Sequence, residues 1–240
     1  MDCWQNYMAQ VFYPYYKALY DKIKAQDFVT DKSGCKMVEI IAPRIEYDLL
    51  LANGGFIDYI TRKSPRKYIA NELEWYNSKD LNIKMVDSVK IWNLVCDENK
   101  NINSNYGHLV YGKGNFSQFS HALHNLEENK FSRQAIIIYT RPSIQLEHND
   151  LGGADFICTN FQQFFIRDNK FHCVTSMRSN DCWSGCFSDQ PWFVHIAYDM
   201  YEHLKPTYPD LDLGKMVFIP NSFHCYERNF DRLVEMIETV

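Results

Sequence analysis

Cys158, in the run Asp155-Phe156-Ile157-Cys158-Thr159-Asn160, stands just before a stretch of strand character. A cysteine there becomes a nucleophile only if nearby cations or hydrogen bonds favour its thiolate. Taken alone, a cysteine is more often a small buried hydrophobe. Cys182 and Cys186 are four residues apart, with no second pair at ligand spacing. His172 and Cys173 are neighbours on an expected strand, so their side chains point to opposite faces. The eight histidines are scattered, and no metal site is expected. Gly112-Lys113-Gly114 is too short for a phosphate-binding loop and reads as a turn. None of these signals identifies a function by itself.

The elements that must position such residues follow from periodicity. Tyr7, Val11, Tyr15, Leu19 and Ile23 recur every four residues and predict an opening helix in spite of Pro14. Asp31-Lys32-Ser33-Gly34 reads as a turn into a strand with the alternation Met37, Glu39, Ile41. Residues 71–78 predict a helix, and Phe116, Phe119, Leu123 and Leu126 a second. Residues 135–139 read as a buried strand. Residues 161–167 and 171–178, separated by Asp168-Asn169-Lys170, predict a β-hairpin. A long amphipathic helix is expected over 192–204, a strand over 215–220 and a closing helix over 227–239. No repeat or low-complexity linker interrupts this order. The interleaving predicts one α+β domain over residues 1–240, a mixed β-sheet with packed helices.

Composition narrows the partners. Hydrophobic residues make up 46% and charged residues 23% of the 240, as in an ordinary globular protein, and this excludes disorder, collagen and coiled coil. Aromatics at 15% are enough for a large core. Lys+Arg 25 against Asp+Glu 30 leaves a net charge of -5, so no basic field awaits a nucleic-acid polymer, although a few cations could still hold a small anion. The longest aliphatic runs, 49–51 and 136–138, fall far short of the ~20 residues that span a bilayer. Met1-Asp2-Cys3-Trp4 has no basic or apolar leader character, and the eight cysteines are expected to be reduced thiols in a cytoplasmic setting.

An ordered set of motifs is more specific. Asp31-Lys32-Ser33-Gly34, Asn71-Glu72-Leu73-Glu74-Trp75, Asn103-Ser104-Asn105-Tyr106-Gly107 and Ser132-Arg133-Gln134 come first. Cys158-Thr159-Asn160, Arg178-Ser179-Asn180-Asp181, Gly185, Asp189 and His224-Cys225-Tyr226 follow. The series resembles the thymidylate synthase family over roughly residues 27–230. Ile138-Tyr139-Thr140-Arg141-Pro142-Ser143 and Met177-Arg178-Ser179-Asn180-Asp181 are similar in particular to its bacteriophage-type deoxycytidylate 5-hydroxymethylase branch.

The resemblance implies a thymidylate-synthase-like fold and a role for each matching residue. Cys158 would attack C6 of a pyrimidine monophosphate and make C5 nucleophilic toward the one-carbon unit of methylenetetrahydrofolate. Glu72 would organise water and move protons, and Tyr106 would stand near the thiol. Lys32, Arg133, Arg178, Ser179 and Asn180 would bind the nucleotide, with Arg178 also lowering the thiol pKa. His224 and Tyr226 would contact the sugar hydroxyl. Asp181, Trp92 and Gly185 would bind folate. Asp189 replaces the asparagine of thymidylate synthases, and a carboxyl group suits the N4 donor and N3 acceptor of cytosine; it also fits as the N-cap of the helix over 192–204.

Two departures stand out. The family often has two consecutive arginines where this chain has Arg133-Gln134. Only ten residues follow Phe230, so the terminal segment that closes over folate in the family is expected to be short. The implied protein is a homodimer converting dCMP, methylenetetrahydrofolate and water to 5-hydroxymethyl-dCMP and tetrahydrofolate, in host cytoplasm if phage-encoded. Alternatives are a CMP hydroxymethylase, a dCMP or dUMP methylase, and a nucleotide binder without catalysis.

Overall fold

The computed structural model describes residues 6–239; the opening Met1-Asp2-Cys3-Trp4 lies outside them. The chain begins with α1 (Tyr7–Lys24), β1 (Val29–Thr30), β2 (Lys36–Ile41) and β3 (Ile45–Asp48). Four helices follow: α2 (Arg66–Ser78), α3 (Lys90–Val95), α4 (Tyr106–Tyr111) and α5 (Gln118–Glu128). Then come β4 (Ile136–Ile138), α6 (Ile144–Asn149), β5 (Thr159–Arg167), β6 (Lys170–Met177) and β7 (Asn180–Asp181). The chain closes with α7 (Cys186–Leu204), β8 (Asp212–Pro220), β9 (Ser222–Tyr226) and α8 (Phe230–Glu238). The expected α+β class holds, but the strands form two sheets, ordered β1-β2-β9-β7 and β3-β8-β6-β5-β4.

Two crossings join the sheets. β6 runs into β7 through Arg178-Ser179, and β8 runs into β9 through Asn221. Asn221 N donates to Met177 O at 2.7 Å, which locks the two crossings side by side. The β5–β6 hairpin turns on Asp168 and Asn169 alone, at φ 49° and 57°. Both are in the left-handed region, which Asn and Asp tolerate and a two-residue hairpin requires. Around the sheets lies an aromatic core in which Phe12, Tyr16, Trp75, Trp192, Phe193 and Phe218 are fully buried.

Several local expectations shift. The helix expected over 192–204 begins six residues earlier, at Cys186, with Gly185 as its N-cap and Pro191 inside it. Pro191 has no N–H to give the helix ladder, yet its fixed φ suits helical backbone and Gly55 packs tightly there. A Cβ on Gly55 would meet Gln190 O at 2.6 Å. Asp189 is therefore in the first turn of α7 and is not its cap. The helix expected at 71–78 begins at Arg66. Phe116 does not join α5: it and Ser117 adopt left-handed backbone, and its ring is 81% exposed. The strand expected to be buried over 135–139 lies at the sheet edge, with Ile137 inward and Ile138 half exposed. A 3-10 turn over Glu227–Asn229 precedes the closing helix.

One glycine is dictated by packing. A Cβ on Gly107 would sit 1.8 Å from Tyr76 O, so α2 and α4 approach as they do only because Gly107 has no side chain. This close contact leaves Tyr106 stacked on Tyr76, centroids 5.4 Å apart.

Candidate active site

The hairpin closes the gap of twenty residues between Cys158 and Arg178. Its register pairs Thr159 with Met177, and Arg178 N donates to Cys158 O at 2.8 Å. The guanidinium reaches back over the strand end. Nη2 donates to Phe156 O at 2.6 Å and lies 3.4 Å from Cys158 Sγ, while Nε donates to Ile157 O at 3.1 Å. The expectation that Arg178 lowers the thiol pKa has the right sign but loses to a larger effect. Burial pushes the Cys158 thiol up, Arg178 partly offsets this, and the charges of Asp189 and Asp155 push it up again. The resting thiol is protonated at neutral pH.

Beside this pair lies a second cation that the sequence placed 146 residues away. Lys32 Nζ is 2.9 Å from His148 Nε2, and His148 Nδ1 is 2.8 Å from Gly153 O. A carbonyl can only accept, so Nδ1 carries the proton and Nε2 accepts from the ammonium. The His148 ring stands edge-on to Phe156, and Arg178 lies 4.7 Å from the centre of that same ring. His148 and Arg178 thus share the Phe156 ring as one aromatic support, and Lys32 joins them through His148, with Ser179 next in chain to Arg178. His148 is not among the residues the sequence points to, because a lone histidine on a six-residue helix carries no signal. Arg133 is exposed just before β4; its carbonyl accepts from Gln163 Nε2 at 2.9 Å. Among the described residues, no hydrogen bond or ion pair ties its side chain to this cluster.

The carboxylate Glu72 is 6% exposed on α2. Tyr68, one turn earlier, donates to its Oε1 at 2.5 Å, and Trp92 Nε1 donates to Tyr68 OH at 3.0 Å. Burial pushes Glu72 up to about 8; the nearby charge of Asp189 adds to this, and the Tyr68 and Tyr76 hydroxyls oppose it. Tyr68 was legible in principle as the i−4 neighbour of Glu72, but a helix read from residue 71 leaves it outside. Trp92 therefore belongs to a relay ending at Glu72. Tyr106 is tied to the thiol through the next residue, since Thr159 Oγ1 donates to Tyr106 OH at 2.8 Å.

The first turn of α7 and the β7–β9 pair complete the site. Asp189 Oδ2 accepts from Asn180 Nδ2 at 2.7 Å. Burial pushes Asp189 up to about 7, with the Asn180 bond opposing and Asp181 adding to it. A Cβ on Gly185 would stand 3.1 Å from Asp189 Oδ2 and 3.2 Å from Asp181 O, so this glycine makes room for the carboxyl group. Asp181 Oδ1 accepts from Trp183 N at 2.9 Å, and Oδ2 faces Arg228 at 3.3 Å. Asp181 is paired with His224 across β7 and β9. His224 is 4% exposed and its pKa is lowered by burial, so the ring is neutral. Its Nδ1 lies 3.2 Å from Ser222 Oγ, which donates to Glu39 Oε2 at 2.7 Å. Tyr226 stands edge-on to His224 at 4.9 Å. Among the described residues, no group of three or more His, Cys, Asp or Glu could hold a metal ion, and no helix is long and apolar enough to cross a membrane.

A partly buried thiol under a guanidinium, with Asp189 close enough to raise its pKa and Glu72 raised in turn by Asp189, defines a site for covalent chemistry with proton transfer. The chain belongs to the thymidylate synthase family, whose model matches residues 14–239. It is 37% identical over 212 residues to the deoxycytidylate 5-hydroxymethyltransferase of Enterobacteria phage T6, covering 87% of this chain and 83% of that one. The enzyme of the same name from Enterobacteria phage T4 matches to the same extent. A thymidylate synthase of Francisella philomiragia is 25% identical over 220 residues, covering 86% and 77%.

Proposed function

We propose that the protein is a folate-dependent C5 hydroxymethyltransferase, converting dCMP, 5,10-methylenetetrahydrofolate and water to 5-hydroxymethyl-dCMP and tetrahydrofolate. The observation that carries this reading is Asp189, a half-buried residue whose carboxyl pKa is pushed up to about 7 by desolvation, next to the Cys158 site. A carboxyl group that shares a proton near neutrality can donate to cytosine N3 while accepting from the N4 amine. An uncharged amide cannot supply that proton as the ring gains negative charge.

Lys32, Arg178 and Ser179 hold the phosphate, and His224 and Tyr226 the sugar hydroxyl. Cys158 Sγ adds to C6 while Asp189 holds a proton at N3, so C5 becomes the nucleophile. Bound 5,10-methylenetetrahydrofolate supplies a one-carbon unit at the oxidation level of formaldehyde. Asp181 and Trp92 suit its ring: the Oδ2 of Asp181 has a long 3.3 Å contact with Arg228 and can accept from a pterin N–H, and Trp92 is half-buried beside Tyr68. Once C5 has bonded to the one-carbon unit, the C5 hydrogen leaves as a proton and the bond from the one-carbon unit to the folate nitrogen breaks. Tetrahydrofolate departs and an exocyclic methylene remains. Glu72, held by Tyr68, orients the water whose oxygen then joins that methylene. Cys158 then leaves C6 as thiolate, and the C5–C6 double bond is restored.

Turnover in heavy-oxygen water should therefore place the label in the nucleotide product, with no dihydrofolate absorbance. A 5-methyl product formed in step with dihydrofolate would identify a methylase instead. A cytoplasmic setting, that of the host for a phage-encoded chain, suits a nucleophile that must stay reduced.

The phosphate site is completed by Arg133 of a second subunit. Supporting this, Phe161, Gln163, Phe165 and Arg167 alternate on β5 with the buried Gln162, Phe164 and Ile166. Gln163 pairs with Val174 and Val174 with Val217, so a half-open, partly apolar row crosses three strands. Mixing a Cys158-defective protein with an Arg133-defective one should restore part of the activity through hybrid dimers. Absence of rescue after demonstrated subunit exchange would count against a shared site.

A further inference from the structure

The geometry points to Asn180 as a second base-specificity residue, its amide oxygen receiving the exocyclic N–H of cytosine that Asp189 does not take. The inference deepens the proposed function and rests on it. Asn180 is 2% exposed on β7. Its Nδ2 donates to Asp189 Oδ2 at 2.7 Å and lies 3.3 Å from Met177 Sδ. Its Oδ1 is buried without a hydrogen-bond partner among the described residues. Asp189 ionised accepts only, so this amide orientation is the one the carboxylate enforces; the flipped amide would set two acceptors together. The pair thus keeps a fixed, unsatisfied acceptor beside the carboxyl group.

The cytosine amine carries two N–H groups. A carboxyl group bridging N3 and N4 takes one of them, and the other loses its water on entering the site. A buried unpaired acceptor next to Asp189 is the group that this second N–H lacks. Uracil presents O4 in the same place, so the oxygen of Asn180 would oppose another acceptor and disfavour dUMP. Asn180 accordingly selects in both directions, by pairing with one base and repelling the other.

Dissociation constants for dCMP and dUMP, measured on the wild type, Asn180→Ala and Asn180→Ser, test this. The ratio of dUMP to dCMP constants should fall about tenfold or more in both variants, with dUMP binding unchanged or tighter. A residue that merely supports the fold would weaken both nucleotides alike, and that result, or an unchanged ratio, overturns the inference. A wild type with no preference for dCMP would instead overturn the proposed function. One measurement needs no variant. In the wild-type complex with dCMP labelled with nitrogen-15 at N4, both amine protons should be resolved and protected from exchange. A second proton exchanging as fast as in free dCMP would also overturn the assignment.

Discussion

Cys158→Ser should bind dCMP within a few-fold of the wild type, yet release no tritium from C5 in the presence of methylenetetrahydrofolate. In the proposed function, binding rests on Lys32, Arg178 and the base-edge residues, none of which the substitution alters. The proposed chemistry adds a soft thiolate to C6, which a serine hydroxyl cannot replace at accessible pH. The loss in turnover is expected to be on the order of 10⁴-fold or more, as for the removal of other covalent nucleophiles. Because burial holds the thiol above its ordinary pKa, its thiolate fraction grows only as pH rises. Alkylation of the free protein at Cys158 should therefore keep accelerating up to and beyond pH 9. Cys182 and Cys186 are fully buried with thiols pushed still further up, so their replacement should leave the chemistry largely intact. Substantial turnover by Cys158→Ser would move the nucleophile elsewhere.

Asp189→Asn should reverse the base preference. The amide donates to uracil O4 and accepts from N3–H, whereas cytosine presents a donor and an acceptor in the opposite order. Mismatched hydrogen bonds in a buried site cost about 1–3 kcal/mol each, and about 1.4 kcal/mol is tenfold. With two bonds reversed, the ratio of kcat/KM for dCMP to that for dUMP should fall about a hundredfold or more, read from C5 tritium release. The pH profile should change as well. The raised pKa of Asp189, about 7, means that the proton offered to N3 is present below that pH and lost above it. The wild type should show a decline in dCMP use as pH rises through that value, and the amide variant should lack that limb. An unchanged dCMP/dUMP ratio would remove Asp189 from base selection.

The sequence alone determined whatever depends on neighbours along the chain. The left-handed turn at Asp168-Asn169 and the alternation on either side specify the hairpin, and through it the approach of Arg178 to Cys158. The order of the motifs from Lys32 to Tyr226 was sufficient to indicate the family. Other features depended on distance in space. His148 supports Lys32 from 116 residues away, and Asn180 meets Asp189 only because α7 starts at Cys186, ahead of the point where Pro191 suggested its beginning. Tyr68 reaches Glu72 because the packed α2 extends back to Arg66. The ionisation of Cys158, Glu72 and Asp189 was the least legible. Residue types and spacing give the sign of each neighbouring charge, but desolvation depends on how completely the folded chain excludes water. At all three groups that burial is the largest effect.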